Sequence, residues 1–252
     1  MGETIVFTSG KGGVGKTTTI ANIGAGLSQL DKRVVMLDTD MGLRNLDVVM
    51  GLEDQINYNL LDLLENRCRI NQALIRDKRF PNLYMIPASL KVLPLEKYEK
   101  AFEILINHLK SEFDYCLIDC PAGIDQGFRF ATAVADRAIL LTTPHISAVK
   151  DASRVLQLLN GTKIERVELI INEYDEKLVR KKYILSKEDI SELFDIPVLG
   201  TIPHDHKVFI SQNKGIPVIT MRSKATRQFM YLSEQMTTNL ELEEEGFIYD
   251  IS

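Results

Sequence analysis

Gly10-Lys11-Gly12-Gly13-Val14-Gly15-Lys16-Thr17 stands between a short apolar run, Thr4–Thr8 (TIVFT), and a stretch, Thr17–Leu30, in which Ile20, Ile23, Gly24 and Leu27 share one helical face. The eight residues fit G-x-x-x-x-G-K-[ST]. Strand, loop and helix come in the order that a phosphate-binding loop requires. Glycines let the backbone curl until successive N–H groups aim at phosphate oxygens. The helix opening near Lys16 adds the positive end of its dipole. In this reading Gly10, Gly12, Gly13, Val14, Gly15 and Thr18 help form the cradle, Lys16 reaches the β and γ phosphates, and Thr17 is a ligand for Mg²⁺. The expected ligands are therefore ATP and Mg²⁺.

Outward from the loop, short apolar runs recur. Arg33–Leu37, Leu83–Ile86, Tyr115–Ile118, Ala138–Thr142, Val167–Ile171 and Pro197–Thr201 read as strands, each bounded by charge or turn residues. Continuous apolar runs belong to strands covered on both faces, as in parallel sheets. Helical periodicity fills about 95–112, 147–160, 186–194 and 223–240, and Ser186-Lys187-Glu188-Asp189 has the form of a capping box. The alternation predicts one α/β P-loop NTPase domain, a mostly parallel twisted sheet with helices on both faces.

Two strand ends carry acids. Val34-Val35-Met36-Leu37 runs into Asp38-Thr39-Asp40, and Tyr115-Cys116-Leu117-Ile118 runs into Asp119. Ligands bind beyond the carboxyl ends of parallel strands. Asp40 is assigned to positioning the attacking water, Asp38 to support near the metal, and Asp119 to holding Mg²⁺ through water. Pro121-Ala122-Gly123 then forms a turn able to shift on loss of the γ-phosphate, so Pro121 and Gly123 are switch candidates.

The 252 residues include 30 Lys plus Arg and 35 Asp plus Glu, a formal net charge of −5. That balance argues against a protein whose affinity for nucleic acid rests on a basic surface. No Lys or Arg follows Arg227, while Glu234, Glu241, Glu243, Glu244, Glu245 and Asp250 do, so the last 25 residues carry −6 and the rest sums to +1. The three cysteines, Cys68, Cys116 and Cys120, lack C-x₂-C spacing and read as buried thiols of a cytoplasmic protein. The apolar runs are far shorter than the roughly 20 residues that cross a bilayer.

Lys11 is a second lysine inside the loop. Lys11–Thr18 matches the deviant Walker A pattern K-G-G-x-G-K-T, and Asp38-Thr39-Asp40-Met41-Gly42-Leu43-Arg44-Asn45-Leu46-Asp47 matches D-x-D-x-G-L-R-N-L-D. With Asp119–Ile124, Ser147–Asp151 and Ile202–Asp205, these stretches make the chain resemble the MinD family of the ParA/MinD superfamily, over nearly its whole length. The resemblance implies an ATP-dependent homodimer in which Lys11 reaches the partner's nucleotide. It implies recruitment of a MinC-like division inhibitor, stimulation by a MinE- or DivIVA-linked factor, and cycling on the inner membrane face. It places Asp151 as the pair of Lys11, near the partner surface, and Asn172 and Pro203 at the adenine. Family members commonly carry Arg after Asn172, where this chain has Glu173.

Members of that family usually end in a Lys-rich amphipathic helix that lies on anionic lipid. Residues 239–252, following a domain of 1–238, are acidic instead, which opposes membrane binding even though Phe247, Ile248 and Tyr249 are apolar. Two other readings share the cradle. One is a ParA-like partition or flagellar-number ATPase, with Lys177–Lys182 and Arg222–Arg227 as basic clusters. The other is an iron–sulfur carrier ATPase with Cys120 beside Asp119.

Overall fold

The computed structural model describes residues 1–92 and 94–246. Its strands are β1 (Glu3–Thr8), β2 (Val34–Asp38), β3 (Ile75–Arg76), β4 (Leu83–Ile86), β5 (Tyr115–Asp119), β6 (Arg137–Thr142), β7 (Arg166–Tyr174) and β8 (Val198–Pro203). They form one sheet in the order β3-β4-β2-β5-β1-β6-β7-β8. Every pairing is parallel except β3 with β4. The helices are α1 (Lys16–Gln29), α2 (Leu46–Met50), α3 (Leu60–Leu64), α4 (Ile70–Ala73), α5 (Glu99–Glu112), α6 (Gln126–Thr132), α7 (Ile146–Leu159), α8 (Glu176–Arg180), α9 (Lys187–Phe194), α10 (His206–Asn213) and α11 (Lys224–Gly246).

The continuous apolar strands have a direct cause: both faces are covered. Alternate residues of one strand feed two cores, because successive side chains point to opposite faces. Ile5, Phe7, Met36, Leu117 and Ile139 pack with Ile20, Ile23 and Leu27 of α1 and with Phe229, Leu232 and Met236 of α11. Val6, Val35, Ile118 and Leu140 pack on the other side with Phe102 and Leu109 of α5, Phe130 of α6 and Val155 of α7. Phe102 and Phe130 stack with centroids 4.3 Å apart.

α1 departs from the single apolar face expected of it. Every residue from Thr18 to Ser28 is buried, because the helix lies between the sheet and α11. Its buried Asn22 is satisfied on both sides: the amide donates to the Thr18 carbonyl at 2.8 Å, and its oxygen accepts from the Ile219 N–H at 2.9 Å. Ser186 and Asp189 do form a capping box at the start of α9. α11 runs across the expected boundary at 238/239 as far as Gly246, and Phe247–Ser252 lie outside the described residues. Among the described residues no helix is long and apolar enough to cross a membrane.

At the amino edge of the sheet, Arg137 is 1% exposed and pairs with Glu168, with Glu3 at 3.7 Å. Arg166 also reaches Glu168, at 3.3 Å. At the carboxyl edge, Asp205 caps two helices at once. It accepts from the Lys207 N–H that begins α10 and from the Lys224 and Ala225 N–H groups that begin α11. Burial pushes the Asp205 carboxyl up, but those N–H groups and the Ser223 hydroxyl outweigh it and hold it below the usual range.

Glu168→Ala leaves the Arg137 guanidinium buried without its partner and is expected to cost about 3–5 kcal/mol in urea unfolding; Arg137→Met with Glu168→Leu should cost less than that single change. A loss below about 1 kcal/mol would show that Glu3 alone suffices. Asp205→Ala should cost about 1–2 kcal/mol at pH 7. Because the folded carboxyl is depressed, its stabilisation is complete above its unfolded pKa of about 4, and the gap between parent and variant should close as pH falls below that.

Candidate functional site

The carboxyl edge of the sheet builds the site. In register, Asp119 of β5 lies beside Phe7 of β1 on one side and Asp38 of β2 on the other. The loop 9–15 leaves β1 and turns into α1 at Gly15, whose φ of 92° is a left-handed conformation that disfavours a side chain. A Cβ there would also stand 2.3 Å from Nδ2 of Asn172. At Gly10 a Cβ would meet the Asp151 main chain at 2.2 Å, so α7 packs directly against the start of the loop. Gly12 and Gly13 face open space. Inside the loop, the Ser9 hydroxyl donates to the Lys11 carbonyl at 2.9 Å, and the Thr19 hydroxyl donates to the Gly15 carbonyl at 2.8 Å.

Lys16, Thr17, Asp40 and Asp119 converge beneath this loop. Burial raises the Asp119 carboxyl, while the Lys16 ammonium and the Thr17 hydroxyl pull it down. Asp119 Oδ1 is buried and has no hydrogen-bond partner. A buried carboxylate oxygen without a partner is costly, and a cation relieves that cost. With the Thr17 hydroxyl beside it, this is a hard-oxygen donor set that suits Mg²⁺. Among the described residues no group of three or more His, Cys, Asp or Glu forms a ready cage. Mg²⁺ in phosphate sites takes only one or two protein ligands, the rest being phosphate and water. Asp40 is half-buried; burial raises its carboxyl and Lys16 opposes the shift.

Asp38, expected near the metal, is fully buried and turned to the backbone. Its Oδ1 accepts from the Asp40 N–H at 2.9 Å, and its Oδ2 from the Asn45 and Leu46 N–H groups at 3.1 and 3.2 Å. Burial, then the nearby Asp119 charge, raise its pKa. Its visible work is to fold the 40–46 segment back over the end of β2 and to start α2.

The remaining sequence candidates lie around the loop. The Gly123 N–H donates to the Ser9 carbonyl at 3.0 Å, which ties the Pro121–Gly123 turn to the cradle. Lys11 is exposed and makes no ion pair among the described residues. Asp151 pairs with Arg154 of its own helix at 3.5 Å, not with Lys11. Asn172 donates to the Val14 carbonyl at 2.8 Å, so in this state its amide braces the cradle. Pro203 ends β8, and directly after it a cavity of about 700 Å³ is lined by His204, Asp205, Lys207, Arg222, Lys224 and Arg227. Cys116 and Cys120 are core residues whose thiols burial pushes up to about 12; both are free, as is Cys68.

Three participants escaped the sequence reading. Gln212 of α10 hydrogen-bonds the Thr18 hydroxyl from 194 residues away. The Thr39 hydroxyl donates to the Asp119 carbonyl at 2.7 Å, locking the two acid-bearing strand ends together. Ser89 accepts the Gly42 N–H at 2.8 Å through its carbonyl. Only Ser89 carried a signal, since Pro87-Ala88-Ser89 follows a strand at the same edge.

The AAA domain family model matches residues 2–175. The septum site-determining protein MinD of Synechocystis sp. is 48% identical over 219 residues, 87% of this chain and 82% of that protein. The fold is similar to that in the MinC:MinD cell division protein complex of Aquifex aeolicus, with a TM-score of 0.86 and 38% identity over 94% of this chain and 96% of that one. It is also similar to septum site-determining MinD complexed with Mg-ADP from Pyrococcus horikoshii, with a TM-score of 0.84 and 30% identity over 94% and 96% of the two chains. Open cradle, paired strand-end acids and these likenesses over most of the length agree: the chain belongs to the MinD family of ParA/MinD ATPases.

Proposed function

We propose that this chain is an ATP-driven switch in division-site selection. It binds MgATP in the Gly10–Thr17 loop, pairs with a second copy across the nucleotide, recruits a MinC-like inhibitor in that state, and lets go on hydrolysis. The carrying observation is the convergence of Lys16, Thr17, Asp40 and the unpartnered Asp119 oxygen beneath an open glycine cradle. The MinC:MinD and Mg-ADP complexes of the similar structures support the inhibitor and the ligand.

The chain's own groups divide the work. Loop N–H groups and the start of α1 hold the phosphates, and Lys16 neutralises charge on the β and γ groups. Thr17 and Asp119 would hold Mg²⁺, which when bound offsets phosphate charge. Asp40, half-buried and facing Lys16, orients the water that attacks the γ-phosphate. Asp38 keeps Asp40 in place through the N–H groups of the loop that carries it. The Gly123 to Ser9 bond gives the turn after β5 a direct contact with the cradle, so a change at the γ-phosphate reaches the surface.

Pairing is supported by the apolar side chains exposed at the edge of the sheet that bears the Lys11 loop. Leu43, Leu90, Val92, Ile124 and Ile146 are all exposed, and all stand on loops or helix starts at the carboxyl edge. A second copy laid on that edge would cover them and bring Lys11 to the other nucleotide. There the ammonium would stabilise charge that builds on the transferring phosphoryl group. A MinE- or DivIVA-linked activator acts in this reading on the paired form. The acidic end, Glu241–Asp250, opposes attraction to anionic lipid.

Lys16→Ala should lose ATP binding by roughly a hundredfold or more, seen by calorimetry, since it removes a charge-assisted contact to two phosphates. Asp40→Ala should bind ATP normally and turn over about 10²–10⁴ times more slowly; turnover at the parental rate would end the assignment of the water-positioning acid. Size-exclusion chromatography with ATP and with ADP tests pairing. Parent and Asp40→Ala should dimerise with ATP, and Lys11→Ala should remain monomeric or hydrolyse without stimulation. A Lys11→Ala protein that pairs and hydrolyses as the parent does would remove the lysine from the partner's site.

A further inference from the structure

Asp47 is 0% exposed, and Arg44 is the cation that offsets its charge, at 2.9 Å from Nε to Oδ2. Arg44 holds a left-handed backbone conformation, φ 52°, which a residue with a side chain adopts only when its surroundings enforce it. The strain has a visible return. In that conformation the Arg44 N–H donates to the Asp40 carbonyl at 3.2 Å, as does the Leu43 N–H, while the side chain turns back to α2. Asp47 itself is on a fixed post. The far end of α2 is anchored by Arg79, whose guanidinium bonds the Met50 carbonyl, the Gly215 carbonyl at 3.0 Å and Asp77.

We infer that the Arg44–Asp47 pair is a positioning device for hydrolysis: it hangs the 40–46 loop from α2 and thereby sets where the Asp40 carboxylate stands over the cradle. The inference rests on the reading of Asp40 as the water-positioning acid. Asp38 fixes the two ends of this loop through N–H groups of residues 40, 45 and 46. Arg44 adds a side-chain tie to its middle, beside the backbone bonds from the Gly42 N–H to the Ser89 carbonyl and from the Leu43 N–H to the Asp40 carbonyl. Neither Arg44 nor Asp47 needs to touch nucleotide for this, so binding and turnover separate.

The test is a double-substitution cycle on the full chain, with kcat and KM for ATP measured at saturating Mg²⁺. Arg44→Ala should lower kcat about tenfold and leave KM within twofold of the parent. Arg44→Lys, which keeps the charge and folds without an uncompensated carboxylate, should recover part of the loss. In an Asp40→Ala background, Arg44→Ala should cause no further loss, because a group acting through Asp40 has nothing left to position. A multiplicative loss in that background, or a parental kcat for Arg44→Ala beside a slow Asp40→Ala, overturns the positioning role. If Asp40→Ala itself turns over normally, it is the reading of Asp40 that fails. Should Arg44→Ala not fold, Arg44→Lys in the two backgrounds decides by the same criterion.

Discussion

Asp38 and Asp119 end neighbouring parallel strands in register, both buried. Two carboxylates so placed repel each other and lose their hydration, and each must be offset by something nearby. Asp38 is offset by three backbone N–H groups, which forces the chain after β2 to curl back over its own strand end and begin α2 there. Asp119 is offset by Lys16 and the Thr17 hydroxyl from the start of α1. The positions of the cradle, of α2 and of the Asp40 loop thus follow from one problem, how to keep two acids at the dry end of a sheet. The solution is left incomplete at Asp119 Oδ1, and that is where a cation gains most.

Much of this was legible in the sequence because it is local. Strand runs covered on both faces, the glycine loop before a helix and the Ser186 capping box are all encoded within a few residues. What was not legible depends on distant contacts. Nothing around Gln212 announces that its amide meets Thr18, and nothing in VELIIN says that Asn172 braces Val14 from 158 residues away. The pair Asp38 and Asp40 shows a second limit. The spacing says that two acids stand at a strand end, but burial alone decides that the first turns inward to cap backbone and the second stays half-exposed toward Lys16. α1 shows a related limit: periodicity counts apolar residues, and Thr18, Thr19, Asn22 and Ser28 are buried polar ones; Thr19 and Asn22 donate to carbonyls four residues back, while Thr18 and Ser28 accept from distant Gln212 and from the Asn82 N–H.

The acidic stretch near the chain's end raises a question of charge that geometry resolves. Six acids beside a triphosphate would oppose binding. α11 begins at the carboxyl edge, where Asp205 caps it, and by Met236 it has reached the amino edge, where the Tyr115 hydroxyl donates to the Met236 carbonyl. Twenty-three residues at about 1.5 Å each make a helix of roughly 35 Å. That is several Debye lengths at physiological salt, so the backbone that carries Glu241–Glu245 stands beyond electrostatic reach of the cradle. The contacts that cover α1 also hold the backbone of Glu241–Glu245 away from the site.

Lys11 poses the opposite problem, an exposed positive charge with no ion-pair partner among the described residues. Exposed to water, an ammonium near a phosphate gains only about 1 kcal/mol; where water is excluded and the effective dielectric falls near 20, the gain is about 4 kcal/mol. One copy of the chain cannot exclude that water, because Gly12 and Gly13 look onto open space. The exposed Leu43, Val92, Ile124 and Ile146 at the same edge supply apolar surface that a second copy would bury. In the proposed pair, covering them and drying Lys11 would be one event, and the charge that Lys11 meets there would be the partner's triphosphate. Loss of the γ-phosphate would remove part of that charge while leaving the apolar contact, so ATP would hold the two copies together and its hydrolysis would weaken them.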